Sequence, residues 1–372
     1  MTCSRDWSGP EAPETGEGWC TSLFFINLRD IFRVMDYETT LIRNVFLVTQ
    51  DRNITIVRGD VYIRGSRIDK VGKDIKEKAD YVIDGKDLIA IPGLINTHTH
   101  SPMTLLRGYA DDMYLKEWLE QKIWPAESKL TPDHIYYGSL MAIGEMLASG
   151  TTMFFDMYFL PEYTARAVLE AGIRANLGAI FLDFPTVHAD NLQGYCRKAE
   201  NLIKQYRGHE RLTFSVAPHA PYTCSETTLK EAAGLAEKYE LPVHIHVAET
   251  EEEVENFRRQ GEDIIDYLSR SCLFSRHVLL VHSVWMDDDM IEAISDYNVG
   301  ISHNPVSNMK LCVGSVCPVE RFRDRGLPAG LGTDSTVSNN NLNMFETMKA
   351  AALLGKFYSG NPTSLKAQDV FD

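Results

Sequence analysis

Two pairs of histidines stand where both imidazoles of a pair can aim at one target. His98 and His100 are two residues apart, as are His244 and His246. On a β-strand residues i and i+2 point to the same face, so each pair is delivered together if its segment is extended. Glu249 follows His246 by three residues, and His219, His282 and the Thr333-Asp334 pair each close a separate apolar segment. Imidazoles joined by one carboxylate suit Zn²⁺ or Fe²⁺, with a position left for water. His134, His188, His209 and His277 fall on helix starts, loops or a strand beginning, which assigns them to structure or surface.

Such a centre needs a frame that collects strand ends in one place. After Ala90 the text alternates between short apolar strands and helical segments. The strands read are Ile91–Thr97, Thr151–Met157, Ile173–Ile180, Leu212–Pro218, Pro242–Val247, Val278–Ser283, Val299–Ser302 and Pro328–Gly332. Helices are expected at Pro132–Ala148, Ser225–Tyr239, Asp287–Tyr297 and Asn341–Phe357, with Thr131-Pro132 and Ser225-Glu226 as start signals. Eight strands with helical connections point to a (β/α)8 TIM barrel, in which working residues sit at the C-terminal strand ends. The histidines and Asp334 lie there. No GxGxxG follows the first strand, so a dinucleotide fold lacks its main support.

Ahead of the barrel, Leu41–Thr49, Asp60–Arg64, Ile68–Val71 and Tyr81–Ile83 are β-rich and separated by turn residues. They predict a small antiparallel sheet within residues 35–90, the N-terminal part of a β-sandwich. Residues 1–34, with Pro10, Pro13, Gly9, Gly16 and Gly18 among polar neighbours, read as a flexible extension, with natural translation expected from Met35. Residues 91–372 are then the catalytic barrel. The chain carries 52 acidic against 37 basic residues, a net charge of −15. That balance argues against polynucleotides and anionic membrane surfaces as partners, while leaving room for a small nucleoside-like molecule. No apolar run reaches the ~18 residues of a spanning helix, and Ser22–Asn27 lacks the flanks of a signal peptide. The seven cysteines are scattered without a CxxC pair, the pattern of thiols in a reducing cytoplasm.

An ordered series of motifs resembles the amidohydrolase superfamily, in particular its 5′-methylthioadenosine/S-adenosylhomocysteine deaminase branch, with 5′-deoxyadenosine deaminases close by. The series runs Pro92–His100, Met103–Gly108, Trp118, Trp124–Glu127, Pro218–Tyr222, His244–Thr250, Ser302–Pro305 and Gly332–Ser335. The resemblance implies metal ligands His98, His100, His246 and Asp334 around one divalent ion, zinc or iron. It implies Glu249 as proton shuttle, His282 as the residue that orients the nucleophile, Glu127 as the ribose-hydroxyl ligand and His219 as a further substrate contact. Asp334 would accept the proton of the water, and Trp118 would either stack near the substrate or form an apolar lid contact. His244 is read as a packed, hydrogen-bonded core histidine. The fourth strand ends in His219 with no lysine to carry a bridging carboxylate, which favours a single metal. The reaction implied is hydrolytic deamination of 5′-deoxyadenosine, 5′-methylthioadenosine or adenosine to the inosine analogue plus ammonia. Related enzymes are often homo-oligomers, so a second copy of the chain is a further expected partner.

Two departures from the family pattern qualify this. A carboxylate clamp for S-adenosylhomocysteine needs a guanidinium fork after the third strand. Here Gly178–Pro185 holds none, and the next arginine is Arg197. A neutral 5′ group is therefore expected over S-adenosylhomocysteine. The family also returns strands to the small sheet after its last barrel helices, whereas this sequence stops at Asp372, so a C-terminally short barrel and an incomplete sandwich are expected. The alternatives are an amidohydrolase acting on another heterocycle, such as guanine or an s-triazine, and an inactive metal-binding scaffold.

Overall fold

The computed structural model describes residues 37–50 and 56–372; the expectations for residues 1–34 and for a start at Met35 lie outside the described residues. The chain divides into two compact units, one running to Ala90 and the other spanning Ile91–Asp372.

The first unit is a sheet of β1 (Thr39–Val48), β2 (Ile56–Arg64), β3 (Arg67–Gly72), β4 (Tyr81–Asp84) and β5 (Ile89–Ala90). Its order is β3-β2-β1-β4, with β5 also on β1. The β1–β2 and β2–β3 pairs are antiparallel, but β4 and β5 run parallel to β1. The expected antiparallel sheet is thus corrected to a mixed one. The link after β3 carries the chain past β2 to the far side of β1, so β4 arrives running with β1. Buried Asp60 holds that link, accepting the Asn44 N–H at 2.8 Å and the Ile75 N–H at 3.0 Å.

The second unit is a parallel eight-stranded barrel. Its strands are β6 (Leu94–Thr99), β7 (Thr151–Met157), β8 (Arg174–Phe181), β9 (Leu212–Pro218), β10 (Val243–Val247), β11 (Val278–His282), β12 (Val299–His303) and β13 (Ala329–Leu331), in sequential order. The ring closes just beyond β13, where the Asp334 N–H donates to the His98 carbonyl at 3.0 Å. Asn96 ties the same seam from inside: its Oδ1 accepts the Thr333 N–H at 3.0 Å and its Nδ2 donates to Thr333 Oγ1 at 2.7 Å. Gly332 permits the close approach, since a Cβ there would lie 2.3 Å from Asn304 Oδ1 and 3.0 Å from His98 Cβ. Asn96 is fully buried, so Asn96→Ala strands the buried Thr333 N–H and leaves a cavity at the seam. A loss of about 2–4 kcal/mol is expected, read as a lower urea midpoint for the variant.

The helices form where caps allow. Thr131 and His134 cap each other's backbone at the start of Pro132–Ala148, and the Ser225 hydroxyl accepts the Thr228 N–H at the start of Glu226–Tyr239. The last long helix begins at Met344, later than the expected Asn341, because the Asn341 and Asn343 side chains accept backbone N–H groups in a preceding turn. The helix expected to reach Tyr297 spans Asp288–Ile294 and ends in a turn in which the Ser295 N–H bonds Glu292 O. Among the described residues no helix is long and apolar enough to cross a membrane.

Candidate active site

Barrel register levels the site. Val247 of β10 lies opposite His282 of β11, and Thr99 of β6 opposite Asp156 of β7, so the strand ends rise to one height. Several residues at these ends have left-handed backbone: Ala248 at φ 51°, His282 at 68°, Ser283 at 49° and Asp334 at 60°. Strain of this kind concentrates where a side chain must be aimed.

His98, His100 and His246 converge, with their ligand atoms all within 4.8 Å of one another. Asp334 Oδ1 lies 3.6 Å from His98 Nε2 and 3.3 Å from His100 Nε2. Backbone carbonyls fix two of the rings. His100 Nδ1 donates to Met157 O, and His246 Nδ1 donates to His219 O at 2.7 Å. A neutral ring with its proton on Nδ1 presents a bare lone pair at Nε2. His98 reaches His244 Nε2 through its Nδ1 at 2.9 Å, while its Nε2 sits 3.1 Å from His246 Nε2. His244 is therefore the hydrogen-bonded core residue expected, set directly behind His98.

The electrostatics favour a cation at this point. Burial pushes His98 down to about 3 and holds His246 and His244 well below the usual imidazole value, so these rings are neutral. Burial also opposes a charge on His100, but Asp334 outweighs it and lifts that ring to about 9. For Asp334 burial works against ionisation, yet bonds from His100 and His98 hold the carboxyl well below the carboxylate range. The neutral lone pairs of His98 and His246, that of His100 once its ring gives up its extra proton, and one ionised carboxylate form a donor set that fits a divalent ion of the zinc or iron type.

Around this cluster stand the other residues singled out. His282 Nε2 is 3.7 Å from Glu249 Oε1 and 3.9 Å from Asp334 Oδ2. Burial raises the Glu249 carboxyl, with His282 pulling the other way. Glu127 and Trp118 lie on one segment, Leu115–Glu127, whose two α-helical turns flank a π-helical turn at Leu119–Ile123. Burial lifts Glu127 up to about 7. The Trp118 indole N–H donates to Ala110 O at 3.1 Å, which leaves its apolar surface for the site. His219 is half-buried, and desolvation pushes its imidazole down to about 3, so the ring is neutral, with Nδ1 2.9 Å from Thr223 Oγ1. One cleft, partly open to solvent, is lined by His100, His246, Asp334, His282, Glu249, Glu127, His219 and Trp118. His98 lies behind His100 and is fully buried.

Sequence reasoning missed the residues that hold these in place. Ser307 donates to Asp334 Oδ2 at 2.6 Å, and Asn308 Oδ1 is 2.8 Å from His282 Nδ1. Asp156 accepts the Ser101 N–H at 2.6 Å just beyond His100. Ser307 and Asn308 follow Asn304-Pro305 on a short helix, and nothing in their spacing marks them. Asp156 sits at a strand end, which could have flagged it.

The amidohydrolase family model matches residues 89–372. The chain belongs to the amidohydrolase family. This amidohydrolase is 44% identical over 333 residues to 5-methylthioadenosine/S-adenosylhomocysteine deaminase 1 of Archaeoglobus fulgidus, covering 89% of this chain and 77% of the relative. It is 45% identical over 320 residues to 5′-deoxyadenosine deaminase of Methanothermobacter thermautotrophicus, covering 85% and 74%. Among solved structures it is similar to an adenosine deaminase from Xanthomonas campestris with bound zinc, at TM-score 0.85 and 33% identity over 89% of this chain and 76% of that one.

Proposed function

We propose that this amidohydrolase deaminates adenosine-type nucleosides by hydrolysis, releasing ammonia and the inosine analogue. The carrying observation is that one cleft joins the imidazole–carboxylate cluster to a buried acid, Glu249, and to a second buried acid, Glu127. The names of its relatives point the same way. His98, His100, His246 and Asp334 would hold a single divalent ion, zinc first and iron second. Such an ion supplies Lewis acidity that lowers the pKa of a water toward ~7.

The chain's own residues do the remaining work. Asp334 takes up the proton lost by the water at a carboxylate oxygen, and His282 Nε2 orients the attacking oxygen. Glu249 delivers a proton to the ring nitrogen beside C6 as the C6–O bond forms. Asp334 then passes its proton to the amino group, the C6–N bond breaks and ammonia departs, and the proton of the new C6 hydroxyl returns to Glu249. Glu127 accepts hydrogen bonds from ribose hydroxyls, His219 contacts the substrate, and the Trp118 ring gives the cleft an apolar wall.

The 5′ end of the substrate follows from β8. Ile180 and Leu182 line the cleft. Asp183 is engaged elsewhere: it accepts the Ser225 N–H at 2.6 Å and the Thr228 hydroxyl. Among the described residues no guanidinium lines the cleft to hold an amino-acid carboxylate. A missing charge-assisted hydrogen bond of about 1.5–3 kcal/mol corresponds to roughly tenfold or more in binding. Values of kcat/KM for 5′-deoxyadenosine, 5′-methylthioadenosine and adenosine should therefore exceed that for S-adenosylhomocysteine by about this factor. A panel assayed by ammonia release tests it, and equal or better turnover of S-adenosylhomocysteine would refute the preference.

A further inference from the structure

Glu249 stands on a turn that needs restraint. It follows Ala248, whose φ of 51° puts a residue with a Cβ in the left-handed region, and it precedes the helix Glu251–Arg259. The peptide unit between Ala248 and Glu249 is held at both ends. Its carbonyl accepts the Trp285 N–H at 2.9 Å, and its N–H donates to Glu253 Oε2 at 2.9 Å. One residue earlier, Val247 O accepts the Ser283 N–H at 3.0 Å.

Glu253 is placed for this by its own helix. The Thr250 hydroxyl caps the helix by accepting the Glu253 N–H at 3.2 Å, and the Glu253 side chain reaches back past the cap to the Glu249 N–H. A carboxyl at this helix position ordinarily turns to the cap residue's own N–H. Here it bonds one residue further back. Glu253 is buried, and its second oxygen, Oε1, has no hydrogen-bond partner among the described residues. Oε2 is therefore the oxygen that makes the bond to the Glu249 N–H.

We infer that Glu253 is a positioning residue for Glu249: its Oε2 fixes the Ala248–Glu249 peptide, and with it the direction in which the Glu249 carboxyl points. The inference rests on the proton-transfer role proposed above for Glu249. It calls for an acceptor atom at this position rather than a negative charge. Burial pushes the Glu253 carboxyl up to about 8, so the neutral amide of a Gln replacement matches it in charge while keeping the acceptor oxygen.

The test pairs kinetics with hydrogen exchange resolved to the Glu249 amide, on the metal-loaded full chain. Glu253→Ala should speed exchange of that amide at least about tenfold through loss of its acceptor. The same variant should lower kcat about 10- to 100-fold, as a misplaced catalytic group does. KM should stay within about threefold, because substrate contacts are untouched. Glu253→Gln should restore both protection and kcat. Glu253→Asp, one methylene short, should resemble Ala, and it stands in if the Ala variant fails to fold. Unchanged protection in Glu253→Ala, faster exchange without loss of kcat, or a Gln variant as impaired as Ala would each overturn the inference. If the unaltered chain deaminates none of the nucleosides, the functional proposal fails, and the role assigned to Glu253 falls with it even where exchange finds the peptide clamp intact.

Discussion

Glu249→Gln is expected to lower kcat for nucleoside deamination by about 10²- to 10⁴-fold, the range ascribed to a positioned acid or base, while leaving metal content unchanged. The residue is only 5% exposed. Burial raises its carboxyl above the ordinary value, which favours the protonated acid. Glutamine keeps the volume and the hydrogen-bonding shape but has no proton to transfer. Oε1 lies 3.7 Å from His282 Nε2, and the residue stands apart from the His98, His100 and His246 cluster. The metal should therefore stay. Turnover followed by ammonia release, with metal measured by plasma mass spectrometry, checks both halves. Near-full activity would remove Glu249 from the proton transfer, and loss of metal would assign it to the ligand set instead.

His246→Ala should abolish stoichiometric metal binding, and turnover with it. In the unaltered chain, a metal that binds only the folded state adds about 2.7 kcal/mol of stability at 100-fold excess over its Kd. That increment appears as a rise in Tm on adding Zn²⁺ or Fe²⁺ after chelation, and it should vanish in His246→Ala. The ring is held by its bond to His219 O and faces His98 Nε2 at 3.1 Å, so Ala removes a donor no neighbour can replace. One metal per chain and an undiminished Tm rise in the variant would exclude His246 as a ligand.

Much of this site was legible because its parts obey short-range rules. A strand's two-residue period brings His98 with His100 and His244 with His246. The barrel rule then assigns their ends a function. The limits of that reasoning are equally physical. His98 and Asp334 are 236 residues apart in number, and only ring closure through Asn96, Thr333 and Gly332 sets the carboxylate beside the imidazoles. Glu253 stood in view as the fourth residue of Thr250-x-x-Glu253, a helix-start spacing. The spacing alone assigns its side chain to the cap, whereas the left-handed turn at Ala248 brings the Glu249 N–H within its reach instead. The mixed sheet escaped for a similar reason: alternating side chains look alike in parallel and antiparallel pairs, and the path of the link after β3 decides between them.

By itself, then, the sequence determined the barrel, the strand ends that carry chemistry and the types of group placed there, since these depend on periodicity and turn chemistry within a few residues. Tertiary structure decided what those groups do to one another. It set which nitrogen faces the centre, through the Met157 and His219 carbonyls for His100 and His246 and through His244 for His98. It buried Glu127 and Glu249 so that both resist ionisation, and it turned Asp183 away from the cleft. Those outcomes depend on distances between segments remote in the chain, which no local pattern records.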